Sequence, residues 1–335
     1  MPKKSAVSRV LLAAATAIGV MATAPAADAA DVTIRIGWAT TDNANDAYRY
    51  AAHQLAAALE KSAPGRFQLS FFPNRQLGDE KELLQGMQLG TVDAALVTST
   101  VVSNVEPAFL INDLPFLYAS AAQAHSILDG PLGKELADRL AKKNVVTLGF
   151  CESGFRNMVN NVRPVTEPKD VEGVKYRVIE SPIFIGMFRS LGGTAVPMAW
   201  GDTFTGMQQK TIDGLEVPTW AIAAAKFNEV AKYLSVTQHV YTATLLGISS
   251  RAFGRLSDAD KKLVLDAGQT ACVEQRKFNA AEEEKNIADL KAKGMAINAV
   301  KDPAAFRSKM RPVYDEYRPK IGGDLMDRWL VAVSK

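Results

Sequence analysis

The sequence is poor in the residues that hold metals and staple small folds. Three histidines (His53, His125 and His239) and two cysteines (Cys151 and Cys272) are spread over 335 residues. None stands at zinc-ligand spacing from another, so neither a metal centre nor a disulfide-dense scaffold is expected. The chain also lacks a G-x-S-x-G elbow, a G-x-G-x-x-G fingerprint and a G-x-x-x-x-G-K-[ST] loop. Acyl transfer, dinucleotide binding and phosphate cradling thus have no local support, and neither catalytic residues nor a cofactor are expected. An excess of one charge is missing too. The 39 Lys and Arg residues against 36 Asp and Glu give a net charge of +3, which argues against a nucleic-acid partner.

No apolar run reaches the ~20 residues of a membrane span. The longest candidate, the fifteen residues Val10 to Ala24, follows a basic start of Lys3, Lys4 and Arg9 and precedes Pro25 and the small-residue pattern Ala27-Asp28-Ala29. This is the layout of an export signal cut after Ala29, with a periplasmic product. Removing it leaves 36 basic against 35 acidic residues, a net charge of +1. In an oxidising compartment Cys151 and Cys272 are free to pair if the fold brings them together. Two cysteines this sparse are more often buried apolar side chains, and the sequence leaves the choice open.

What is present is an ordinary globular balance, 47% hydrophobic and 22% charged, over a length that argues for two lobes. Val32, Ile34 and Ile36 alternate as a strand; Ala47, Ala51, Leu55 and Leu59 repeat at helical spacing; Phe67, Leu69 and Phe71 alternate again. A helix over Glu80–Leu89 and a strand over Val92–Val97 complete a pattern that predicts a parallel sheet covered by helices. A helix over Ala121–Lys142 and a strand over Val145–Phe150 close the first half. Pro164, Pro168 and Gly173 mark the crossing to a second lobe with strands at 175–179, 193–196 and 214–217, helices at 182–191 and 202–210, and a β-rich return over 241–250. From Ser257 to Gly294 nothing interrupts the helical pattern. A strand over 295–300 and helices at 306–317 and 325–333 end the chain. The expected division is 30–153 with 241–335 in one lobe and 154–240 in the other. Glu80 and Glu82, at a predicted exposed helix end, read as solvated charge rather than an acid–base pair.

Several stretches, taken in order, resemble the solute-binding receptors of tripartite ATP-independent periplasmic (TRAP, DctP-type) transporters. They are Phe72-Pro73-Asn74-Arg75-Gln76-Leu77-Gly78 with Gly90-Thr91-Val92-Asp93; Asp113-Leu114-Pro115-Phe116-Leu117; Gly154-Phe155-Arg156; Gly173-Val174-Lys175-Tyr176-Arg177-Val178; Pro197-Met198-Ala199-Trp200 with Gln208; Asp213-Gly214-Leu215-Glu216; and Thr237-Gln238-His239. The resemblance runs from about Val32 to the last helix. It implies a two-lobe α/β periplasmic binding protein fold, type II-like, with the long helix bracing both lobes.

It also implies a site. Arg177 matches the family's carboxylate clamp, a role suited to the parallel donors of a guanidinium. Arg156 matches a second arginine and Trp200 an aromatic that stacks on ligand. Thr98 and Trp38 follow strands on the first-lobe side, and Glu216 and His239 lie in matching segments. Asp202, Lys210 and Val217 depart from the pattern, standing where Glu, Gly and Asn are usual. An apolar Val217 disfavours sialic acid. The implied activity is capture of a small organic carboxylate, a C4-dicarboxylate or sugar acid, by a monomeric receptor that delivers it to small and large integral membrane subunits, with no reaction. The alternatives are a receptor presenting its ligand to a membrane sensor and a periplasmic enzyme acting on an organic acid.

Overall fold

A computed structural model of the chain describes residues 32–334, so the expected export signal lies outside the described residues. The chain begins with strand β1 (Val32–Trp38), helix Ala47–Ser62, β2 (Phe67–Phe72), helix Glu80–Leu89 and β3 (Ala94–Thr98). β1 lies between β2 and β3 and parallel to both, as the strand–helix alternation requires. β4 (Val145–Asn160), β5 (Lys175–Val178), β6 (Thr194–Pro197), β7 (Gly214–Val217), β8 (Tyr233–Ser249) and β9 (Ala296–Ala299) follow. All nine join one sheet in the order β2-β1-β3-β8-β4-β7-β5-β6, with β9 on β8.

The sheet is mixed, where the sequence pattern predicts a parallel one. β8 is antiparallel to β3 and β4, and β4 is antiparallel to β7. Both are also far longer than their apolar runs suggest. β4 continues past Phe150 because Gly154, at φ +105°, absorbs a register shift between Glu152 and Gly154 without ending the ladder. β8 begins at Tyr233, eight residues ahead of the predicted return. It pairs with β3 through Thr244–Ile248 and with β9 through Tyr233–Val236, and β4 reaches β7 through Asn157–Asn160. These two strands carry the chain between the two sides of the sheet, β4 ahead of Pro164, Pro168 and Gly173 and β8 well after them.

The predicted helix over Ala121–Lys142 is two helices, Ala121–Leu128 and Pro131–Ala141, because Gly130 and Pro131 stop the first and start the second. The long helix spans Asp258–Ala292, with the Ser257 hydroxyl accepting from the Asp260 amide as N-cap. It buries Val264, Ala267, Ala271, Cys272 and Gln275 and packs Phe278 against Tyr50 of helix Ala47–Ser62, ring centroids 4.1 Å apart. On this face Cys272 meets Cys151 of β4 as a disulfide, Cα atoms 4.3 Å apart. The two cysteines are therefore a staple between helix and sheet, not the separate buried thiols their sparseness favours.

Candidate ligand-binding site

The helices beside β3 and β7 start at a common cavity. Asp79 is the N-cap of helix Glu80–Leu89, and its Oδ1 accepts from the Glu80 amide at 2.9 Å. On the opposite wall, helix Trp200–Gln208 follows β6 and has no N-cap side chain of its own. Asp79 Oδ2 accepts from the Gly201 amide at 2.9 Å, so one carboxylate caps two helices across the cavity. The cavity encloses about 820 Å³, including solvent at its mouth, and is lined by Arg156, Arg177, Trp200, Thr98 and Val217 among the predicted residues.

Arg177 leaves the end of β5 only 3% exposed. Its Nε donates to the Met198 carbonyl at 2.9 Å, which fixes the guanidinium plane. Its two terminal nitrogens have no hydrogen-bond partner among the described residues. Burial, and then the charge of Arg156, lower Arg177 to about 10, so it stays cationic at neutral pH. The Trp200 ring lies beside it, 5.8 Å from Cζ to centroid.

Arg156, from β4, is already neutralised. Its Nε and Nη2 engage both oxygens of Glu216 on β7, the Nη2–Oε1 distance being 2.9 Å. Both side chains are essentially inaccessible, 2% and 0% exposed. Desolvation acts to raise the Glu216 carboxyl, but Arg156 and then His239 outweigh it and hold it below the usual carboxylate range. His239 Nε2 lies 3.4 Å from Glu216 Oε2, and its Nδ1 is 2.7 Å from the Thr237 hydroxyl. Burial lowers the His239 imidazole, keeping it neutral. Glu216 and His239 thus stand behind Arg156 rather than on the cavity wall. Trp38 is not on the wall either. It is fully buried, its Nε1 donates to the Thr41 carbonyl at 3.0 Å, and its ring meets Phe71 edge-on.

Glu80, Tyr48 and Trp220 also line the cavity. Glu80 is buried on the wall, contrary to its reading as solvated charge, while Glu82 is exposed as expected. Glu80 Oε2 accepts from the Thr98 amide at 3.1 Å and from the Thr98 hydroxyl. Burial pushes its carboxyl up to about 7 against those hydrogen bonds. Tyr48 lines the cavity from helix Ala47–Ser62, its phenol raised by burial and by the charge of Glu80. Trp220 closes the floor, its Nε1 donating to the Ser153 carbonyl at 2.7 Å. Burial of Tyr48 follows from its helix's apolar face, but nothing local to Glu80 signals that Thr98, eighteen residues on, meets it.

No group of His, Cys, Asp and Glu among the described residues forms a cation site, and no helix among them is long and apolar enough to cross a membrane. The cavity therefore presents one unpaired guanidinium, one neutralised arginine pair, a carboxyl held by Thr98, and aromatic and apolar walls. That is the equipment for holding a small anion.

Comparison with known proteins agrees. The family model for DctP, the bacterial extracellular solute-binding proteins of family 7, matches residues 38–320. A solute-binding protein of Verminephrobacter eiseniae is 36% identical over 88% of this chain and 87% of its own length. The 2,3-diketo-L-gulonate-binding periplasmic protein YiaO of Escherichia coli is 31% identical over 88% and 90%. A crystal structure of a TRAP periplasmic solute-binding protein from a Polaromonas species, bound to D-erythronate, superposes with a TM-score of 0.86 at 33% identity, covering 89% of this chain and 98% of that one. The chain belongs to the DctP family of TRAP periplasmic solute-binding proteins, a family of receptors rather than enzymes.

Proposed function

We propose that this protein captures a small organic carboxylate, with Arg177 as the clamp, and hands it to the small and large membrane subunits of a TRAP transporter. The observation that carries the reading is Arg177 itself: buried, charged, fixed through Nε on Met198, with both terminal nitrogens unsatisfied. A buried unpaired cation is costly, and a carboxylate meeting two parallel N–H groups removes that cost. Arg156, with Glu216 and His239 behind it, supplies a rigid neighbouring dipole instead of a second free charge. Trp200, Val217 and Trp220 give the ligand's carbon skeleton apolar contact, and Val217 leaves no amide for a sialic acid.

The characterised relatives support the ligand class. YiaO is named for a keto sugar acid and the Polaromonas receptor holds D-erythronate. In this reading the lobes divide at the β4 register shift near Glu152 and Gly154 and close over the ligand, the export signal is removed after Ala29, and the product works as a periplasmic monomer. A thermal-shift screen over organic acids tests it. A ligand at a hundred times its Kd adds about 2.7 kcal/mol to stability. Arg177→Met is expected to abolish the shift while the protein stays folded, and an unchanged shift in that variant overturns the clamp.

A further inference from the structure

Counting charges around the cavity singles out Glu80. Arg156 is matched by Glu216, and Asp79 is engaged by the amides of Glu80 and Gly201. A ligand carboxylate matches Arg177. Lys81, Glu82 and Glu180 also border the cavity but are exposed to solvent, so Glu80 is the one buried carboxyl on the wall left over. Both bonds that Glu80 receives from Thr98 go to Oε2, and Oε1 has no hydrogen-bond partner among the described residues. A buried carboxylate with a free oxygen toward a ligand accepts from a hydroxyl and repels a second anion. Resting on the carboxylate reading above, we infer that Glu80 makes this receptor select monocarboxylates that carry a hydroxyl at the end remote from Arg177, and reject dicarboxylates of the same length.

The groups facing Glu80 fix how this preference varies with pH. Asp79 stands at the start of its own helix, Arg177 faces it from β5, Tyr48 from helix Ala47–Ser62, and Thr98 from the end of β3. Burial dominates and sets the carboxyl at about 7. A dicarboxylate binds well only when Glu80 is protonated and donates to it, so its binding takes up a proton and weakens as pH rises through that value. A hydroxy acid is accepted by the ionised form and does not weaken.

Length-matched aldonate and aldarate pairs isolate the effect: D-erythronate with meso-tartrate, and D-gluconate with D-glucarate. Each pair differs only in a terminal hydroxymethyl against a terminal carboxylate, and all four acids are fully ionised at pH 6.5 and 8.5. Titration calorimetry on the mature protein is expected to show, in a pair that binds, the aldonate at least tenfold tighter at pH 8.5. The aldarate's Kd should rise about tenfold or more from pH 6.5 to 8.5, with the aldonate controlling for every other titrating group, including buried Asp113. Glu80→Gln is expected to remove the aldarate's pH dependence and bring the pair within about threefold. Equal affinities at pH 8.5, identical pH profiles within a pair, or a profile that survives Glu80→Gln each overturn the inference. If Arg177→Met still abolishes binding in those cases, the carboxylate reading stands. If no acid binds, or binding survives Arg177→Met, both fall.

Discussion

Lys210 sits one residue past the C-cap of helix Trp200–Gln208 at φ +60°, exposed and outside the cavity wall. A left-handed conformation at this position costs a side-chain-bearing residue on the order of 1 kcal/mol relative to glycine, which explains why the family pattern favours Gly here. Lys210→Gly is expected to raise the unfolding free energy by about 0.5–1 kcal/mol and leave ligand affinity unchanged, as read by urea denaturation and calorimetry; a destabilised variant contradicts the strain. Other residues were legible to different degrees. Arg177, Trp200, Thr98 and Val217 reach the cavity because each sits at or just beyond the carboxyl end of a strand, β5, β6, β3 and β7 respectively. Trp38 ends β1 by the same logic but turns into the core against Phe71. Strand-end position places a backbone, and packing decides which way the ring goes. Glu80 departs from its local pattern for the complementary reason. A carboxylate in a first helical turn is normally solvated, whereas Glu80 is held in the wall by Thr98 at the end of β3, an element its own helix does not reveal.

Among the elements, the short apolar runs of β1 to β3 and the N-cap of the long helix were readable because their signals are local. β4 and β8 were not, since their central residues carry bulges and a glycine that sequence periodicity counts as a break. The element with the sharpest functional consequence is helix Trp200–Gln208, which borrows its N-cap from Asp79 on the opposite wall. Its first turn is satisfied only while the two walls stand as they do here, so capping and closure reinforce one another. Arg75 lies over the same turn, so close to Gly201 that a Cβ there would fall 1.5 Å from Nη1. An N-cap contributes about 1 kcal/mol. Asp79→Ala is expected to weaken ligand binding about fivefold, beyond the stability it costs helix Glu80–Leu89. Asp79→Asn, which keeps a capping acceptor without the charge, is expected to retain affinity. Calorimetry on both variants checks this, and equal Kd values for the Ala and Asn proteins refute the shared cap.

At the scale of the molecule, one sheet spans both sides of the cavity and one 35-residue helix is fastened to it. The disulfide between Cys151 and Cys272 closes a loop with a sequence separation of 121. Its position matters as much as its loop. Cys151 lies on β4 next to Glu152, whose carboxylate meets the His125 ring at 2.7 Å and the Tyr241 hydroxyl at 3.2 Å, and whose carbonyl accepts from Gln275 of the same long helix at 2.8 Å. The staple and this polar cluster fix the helix to the strand just ahead of the Gly154 bulge. Both sulfurs are buried, and neither cysteine lines the cavity. Replacing both cysteines with alanine is therefore expected to cost stability without moving the clamp. Loop-closure entropy sets the loss at roughly 2–5 kcal/mol, felt mainly through a less restricted unfolded chain. Urea denaturation of the double variant should show this loss, while its Kd for the best organic acid stays within about twofold of the parent's. A double variant of parental stability denies the staple its role. A large loss of affinity with stability preserved instead makes the long helix part of the closing motion, moving with β4 as the cavity shuts.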